Sequence, residues 1–151
     1  MDFVQTIENK YGQVIGQFLR FVVVGFINTA INFIVLNFLS YLTGIKSGSN
    51  IIFLAAISFS VATSNSYFMN KRWAFKDNSN YHTGRKFTMF LLVSLVGLAI
   101  NSGIVYFITT FFHPIFNLSA TPWLNVGIVI ATGVSLIWNF IGYKLFVFNK
   151  D

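Results

Sequence analysis

Residues 21–43 read FVVVGFINTAINFIVLNFLSYLT, and this stretch decides the class of fold. Apart from Tyr41 it contains no side chain that ionises as an acid or base. A helix rising 1.5 Å per residue needs about 20 such residues to cross a hydrocarbon core of roughly 30 Å. Three further gaps of the same kind follow, at 50–70, 87–112 and 122–143. Together they predict four membrane spans, because buried helices of soluble proteins are rarely so long and so free of charge. Composition points the same way. Of 151 residues, 55% are apolar, 19% aromatic and only 9% charged, where a soluble domain carries about 25% charged residues. Ten Lys and Arg face four Asp and Glu, for a net charge of +6, and cysteine is absent. So few charges cannot build the solvated basic face of a nucleic-acid binder, and no cysteine-based metal or redox site is available.

The connections and charges between these gaps predict topology. Residues 44–49 form a Gly/Ser turn, 71–86 a long polar central loop, and 113–121 a link with Pro114 early in it and Pro122 just after. Lys10 and Arg20 precede span one; Lys71, Arg72, Lys76, Arg85 and Lys86 fill the central loop; Lys144 and Lys150 follow span four. Only Lys46 lies on the opposite side. The positive-inside rule then predicts both termini and the central loop in the cytoplasm of a multi-pass protein of the cytoplasmic membrane. Before Arg20, the apolar residues Phe3, Val4, Ile7, Tyr11, Val14, Ile15 and Phe18 recur at helical spacing between polar ones. Residues 1–19 are therefore expected to form an amphipathic helix lying in the interface, with a turn into the membrane at Arg20-Phe21. The acidic start and the lack of a short apolar core with a cleavage site argue against a secretory signal.

The two halves resemble each other. Phe21–Leu39 aligns with Phe90–Ile108 at an offset of 69, placing Gly25 on Ser94 and Asn32 on Asn101. Met69–Phe75 aligns with Gly142–Phe148 at an offset of 73, placing Lys71 on Lys144, Trp73 on Phe146 and Phe75 on Phe148. Since each half has two spans, both enter from the same side. The expected fold is an all-α membrane domain over 1–151, built as two parallel two-helix repeats.

Three motifs extend this reading. Phe18-Leu19-Arg20-Phe21-Val22-Val23-Val24-Gly25 opens span one, Asn70-Lys71-Arg72-Trp73-Ala74-Phe75 leaves span two, and Asn139-Phe140-Ile141-Gly142-Tyr143-Lys144-Leu145-Phe146-Val147-Phe148 closes span four. In order and spacing they resemble the GtrA-like family over roughly Gln17 to Phe148, with one departure: Ser66 stands at the position matching Asn139. The resemblance implies transfer of a sugar carried on a polyprenyl phosphate lipid across the cytoplasmic membrane. There the sugar decorates an envelope polysaccharide, and the chain looks most like the proteins that glycosylate wall teichoic acid. It also implies a glycosyltransferase as partner.

The candidate residues fit such a role without enzymatic chemistry. No Asp, Glu, Lys or Arg falls inside a predicted span, which removes the usual carboxylate of proton coupling. No phosphate-binding Gly-x-x-x-x-Gly-Lys-Ser/Thr loop occurs. His82 and His113 read as solvated loop residues. Neither a cofactor nor catalysis by the chain is expected. Arg20, Lys71, Arg72, Arg85, Lys86 and Lys144 lie within a turn or so of span ends, where Arg and Lys can clamp a lipid phosphate. Positive-inside topology alone also accounts for them. Asn28, Asn32, Asn65, Asn70, Asn101 and Asn139 supply uncharged polarity inside or at the rim of the spans. Asn32 and Asn101 lie about 16 Å deep, Asn65 and Asn139 about 8–9 Å from the basic rim. These amides can serve as a track for sugar hydroxyls or as glue between helices. Trp73, Phe75, Phe146 and Phe148 are read as interfacial aromatics. The alternative function is a non-transporting subunit that anchors or regulates a glycosyltransferase. Four short spans enclose little volume, which makes a homo-oligomer a further expectation.

Overall fold

The computed structural model describes residues 2–79, 82–114 and 119–149, with the side chains of residues 2–10 and 120 outside that description. The described residues are helical with short connections. The helices are α1 (Asp2–Thr43), α2 (Asn50–Met69), α3 (Thr83–Phe111) and α4 (Ala120–Gly142). A five-residue π-helical turn extends α2 over Asn70–Ala74 and another extends α4 over Tyr143–Val147. Four stretches are long and apolar enough to cross a membrane: Tyr11–Thr43, Asn50–Ala74, Thr83–Phe111 and Thr121–Val147. A helix meets every backbone hydrogen-bonding requirement internally, which is what a bilayer demands of a spanning segment. The chain is a multi-pass membrane protein.

Two expectations need correction. The turn at Arg20-Phe21 is absent, and α1 runs unbroken for 42 residues, about 63 Å at 1.5 Å per residue. No proline interrupts residues 2–43, and an isolated basic residue does not stop a helix. The side chains of the N-terminal amphipathic face (Phe3, Val4, Ile7) and of Lys10 lie outside the described residues, as does Lys150. The central loop is also shorter than expected: Lys71–Ala74 belong to the first π turn and Thr83–Lys86 to α3. The basic residues at these span ends therefore sit on helical backbone and not in loops. Charge ends a hydropathy gap without ending the hydrogen-bonded spiral.

The chain divides into two compact units, residues 1–79 and 80–151. In unit 1, α1 packs against α2 and the first π turn; in unit 2, α3 packs against α4 and the second. Glycine with left-handed backbone ends α1: Gly44 has φ 72° and its N–H bonds Ser40 O at 2.9 Å. One row of buried positions on the second helix of each unit follows a four-residue spacing. In unit 1 it is Leu54, Ser58, Ala62, Ser66, Asn70 and Ala74; in unit 2 it is Gly127, Ala131, Ser135, the half-buried Asn139, Tyr143 and Val147. Four-residue spacing places them on one helix face, and the small ones let two backbones approach. The approach is closest in unit 2, where a Cβ at Gly97 would collide with the Asn139 amide and one at Gly142 would lie 2.5 Å from Val93 Cγ1. Large apolar side chains such as Phe26, Phe33, Phe53 and Val129 face outward, as lipid-facing residues do.

Candidate functional site

The two π turns are the most specific feature of the site. Each closes with an N–H reaching five residues back: Phe75 to Asn70 O at 2.9 Å, and Phe148 to Tyr143 O at 2.8 Å. They lie 73 residues apart, the same offset that relates the two basic motifs. A π turn holds one more residue than an α turn, so it shifts the register of everything after it, and such insertions concentrate at functional sites. Here the shift buries a paired set at each exit: Asn70, Ala74 and Phe75 in unit 1, and Tyr143, Val147 and Phe148 in unit 2. Of the four aromatics read as interfacial, Trp73 and Phe146 do face outward, while Phe75 and Phe148 are packed inside.

The basic residues divide by environment. Lys71 is buried, with 7% exposure. Lys144 is half-buried, its Nζ 5.8 Å from the centroid of the Phe140 ring, within cation–π range. Arg72 and Arg85 are exposed and Lys86 half-buried. Arg20 is engaged inside its own unit: Nη2 donates to Ala74 O at 3.5 Å, and its buried Nε meets no hydrogen-bond partner among the described residues. Arg85 and Lys86 share a cavity of about 270 Å³ with His82, Met89, Leu145, Phe146, Val147 and Asn149.

The amides are not one continuous chain. Asn65 Nδ2 donates to Met69 Sδ at 3.3 Å, and Asn101 Nδ2 to Ser135 Oγ at 3.4 Å. Asn70, 1% exposed, donates to Ser66 O at 2.9 Å. The Oδ1 atoms of Asn28, Asn32, Asn70 and Asn139 are buried and meet no hydrogen-bond partner among the described residues. A buried acceptor left that way costs about 1–3 kcal/mol. In unit 1, three such acceptors lie on α1 and at the exit of α2; in unit 2, Asn139 lies against Gly97.

Several participants escaped the sequence reading. Tyr143 Oη and Ser94 Oγ are 2.7 Å apart. Ser94 gives its single proton to Phe90 O at 2.7 Å, so Tyr143 donates to Ser94. Tyr143 also stacks on Phe90, ring centroids 4.4 Å apart, and Trp138 Nε1 donates to Val93 O at 3.1 Å. Asp77, read as a loop residue, is buried; its N–H bonds Lys71 O at 2.7 Å and its Oδ1 accepts the Ser79 N–H at 2.9 Å. The local signal was Asp77-Asn78-Ser79, a turn in which a carboxylate caps the amide two residues on. His82, read as a solvated loop residue, lines the cavity.

A family model described as GtrA/DPMS, transmembrane domain, matches residues 20–148. The chain belongs to the GtrA/DPMS transmembrane-domain family. The match spans both units and both π turns, from Arg20 to Phe148. No curated protein and no solved structure matches the chain. GtrA/DPMS membership ties it, in general terms, to polyprenyl-phosphate-sugar translocation and to association with that lipid-linked sugar. The GtrA family is generally non-catalytic.

Proposed function

We propose that this chain moves a polyprenyl-phosphate-linked sugar across the cytoplasmic membrane, from the cytoplasmic leaflet outward, to glycosylate an envelope polymer such as wall teichoic acid. The observation that carries this reading is the repeated basic π exit, with buried amide acceptors on the helices it closes. The nine-to-one distribution of basic residues supports a cytoplasmic side for both termini and the exits. There Lys71, Arg72, Arg85, Lys86 and Lys144 hold the lipid phosphate by charge-assisted hydrogen bonds. Sugar hydroxyls leaving water need replacement partners at several kcal/mol each, and the amides Asn28, Asn32, Asn65, Asn70, Asn101 and Asn139 offer them. The prenyl chain stays in lipid. Net transfer follows the gradient set by sugar consumption outside, and a glycosyltransferase and further copies of the chain act as partners.

Purified protein in liposomes carrying a labelled short-chain polyprenyl phosphate sugar tests the reading. Accessibility of the label to an outside oxidant is expected to rise well above that of empty liposomes, and Lys71→Gln with Lys144→Gln to reduce it at least tenfold. No movement above empty liposomes, with glycosyltransferase activity restored by adding the protein, would establish the anchoring subunit instead.

A further inference from the structure

The repeat offsets allow the lining of the unit 2 cavity to be located in unit 1, where Arg20 stands among the matching positions. On the first helices, His82, Arg85, Lys86 and Met89 correspond to Gln13, Gly16, Gln17 and Arg20; on the exits, Phe146 and Val147 correspond to Trp73 and Ala74. In unit 1 the Arg20 guanidinium lies beside Gly16 and Ala74, which match the lining residues Arg85 and Val147. Its Nη2 lies 3.5 Å from Ala74 O, its Nη1 lies 3.8 Å from where a Gly16 Cβ would stand, and its Nε is buried. In unit 2 the shorter, uncharged Met89 stands at the position of Arg20, and about 270 Å³ lies open between α3 and the second π turn.

We propose that this cavity of unit 2 is where the phosphate-bearing headgroup first docks, before it passes to the wider basic rim, and that Arg20 acts as a built-in plug at the matching place in unit 1. This deepens the function proposed above and rests on it for the identity of the lipid. The lining suits a sugar phosphate. His82, Arg85 and Lys86 offer donors and positive charge to the phosphate, the Asn149 amide offers a partner to a hydroxyl, and the outward-facing Phe146 ring offers an apolar face to a sugar ring. His82, which has left-handed backbone with φ 55° where the chain turns into α3, lines the cavity from just before the first helical turn. Unit 1 presents at that place a guanidinium bonded to its own backbone.

The decisive variant is Met89→Arg, which copies the plug into unit 2. If net charge alone governed anion binding, an added arginine would strengthen it; a plug weakens it. Full-length protein in zwitterionic nanodiscs is titrated calorimetrically with farnesyl phosphate, glucose 1-phosphate and inorganic phosphate. Saturable binding of farnesyl phosphate is expected, at least tenfold weaker in Met89→Arg and in the Arg85→Gln/Lys86→Gln pair. Should Met89→Arg not fold, Met89→Phe fills the same volume without charge and is expected to weaken binding at least threefold. Binding by Met89→Arg as tight as wild type, or tighter, overturns the cavity assignment, as does the absence of saturable binding for all three probes. If glucose 1-phosphate binds as tightly as farnesyl phosphate, the site stands with a soluble sugar phosphate as its source. A failed liposome transfer with plug-sensitive binding intact refutes translocation and leaves the cavity standing; working transfer with plug-insensitive binding does the reverse.

Discussion

Units 1 and 2 repeat two helices and a π turn, yet the side chains at the helix crossing are exchanged between them. In unit 2, Asn139 on α4 lies against Gly97 on α3. At the matching positions of unit 1, Asn28 stands on α1 and Ser66 on α2. Each crossing thus has one asparagine and one small residue, on opposite helices, and in both the amide oxygen is buried. The departure of Ser66 from the Asn139 pattern is therefore balanced by Asn28. What repeats is a buried amide oxygen, not the position that carries it. The exits differ in a second way: Tyr143 bridges to Ser94, while the matching pair in unit 1 is Asn70 and Gly25, and Asn70 bonds within its own helix.

The largest expected effect tests how tightly unit 2 is closed. Gly142→Ala places a methyl 2.5 Å from Val93 Cγ1 and 3.3 Å from Cγ2, a clash between a backbone-anchored carbon and a β-branched side chain. Overpacking of this kind costs about 1–3 kcal/mol, and the upper end is expected because Val93 has few rotamers to retreat into. The matching residue of unit 1 is Met69, so that crossing accommodates a full side chain. Thermal unfolding in detergent should show the loss, and Val93→Ala in the same chain should recover most of it. A harmless Gly142→Ala would mean the two crossings are equally open.

Next comes a transplant of the exchange itself. Gly97→Asn alone puts a second amide against Asn139 and should cost about 2 kcal/mol. Gly97→Asn with Asn139→Ser rebuilds the unit 1 pattern and should return to within about 1 kcal/mol of wild type, a coupling expected only of residues in contact. Strict additivity of the two changes would show that the crossings do not exchange roles. Smaller again is Tyr143→Phe, which removes one donor from Ser94 while leaving Ser94 bonded to Phe90 O; about 1 kcal/mol is expected, read from the same unfolding curves.

Charge-free gaps make the four spans and their order legible in the sequence, because membrane insertion depends on the same solvation cost that hydropathy measures. The ends of the spans were not legible. A lysine at position 71 or 86 marks where water begins, whereas the helix continues as long as its hydrogen bonds close. Nor could residue periodicity reveal the π turns, since a single extra residue alters the register without altering composition; the 73-residue echo of Lys71-x-Trp73 in Lys144-x-Phe146 was their trace. Arg20 was legible as a cation at a span end but not as a donor to a carbonyl 54 positions away, which is a tertiary fact. The burial of Asp77, Phe75 and Phe148 was hidden for the same reason.

The smallest expected effect concerns Gly25, on the α1 turn before Asn28 and matched in unit 2 by Ser94. A Cβ at Gly25 meets no atom within 4 Å, in contrast to Gly97 and Gly142. Alanine in a helix avoids the backbone entropy that glycine loses on folding, a gain of about 0.5–1 kcal/mol at a position with room for it. Gly25→Ala is therefore expected to leave the unfolding temperature unchanged or raise it slightly, and Gly25→Ser to behave alike. A loss above about 2 kcal/mol for the alanine would show this face of α1 to be packed against something outside unit 1. Glycine would then stand at position 25 for close approach, as it does at 97 and 142, and the openness of the first crossing would belong to the isolated unit alone.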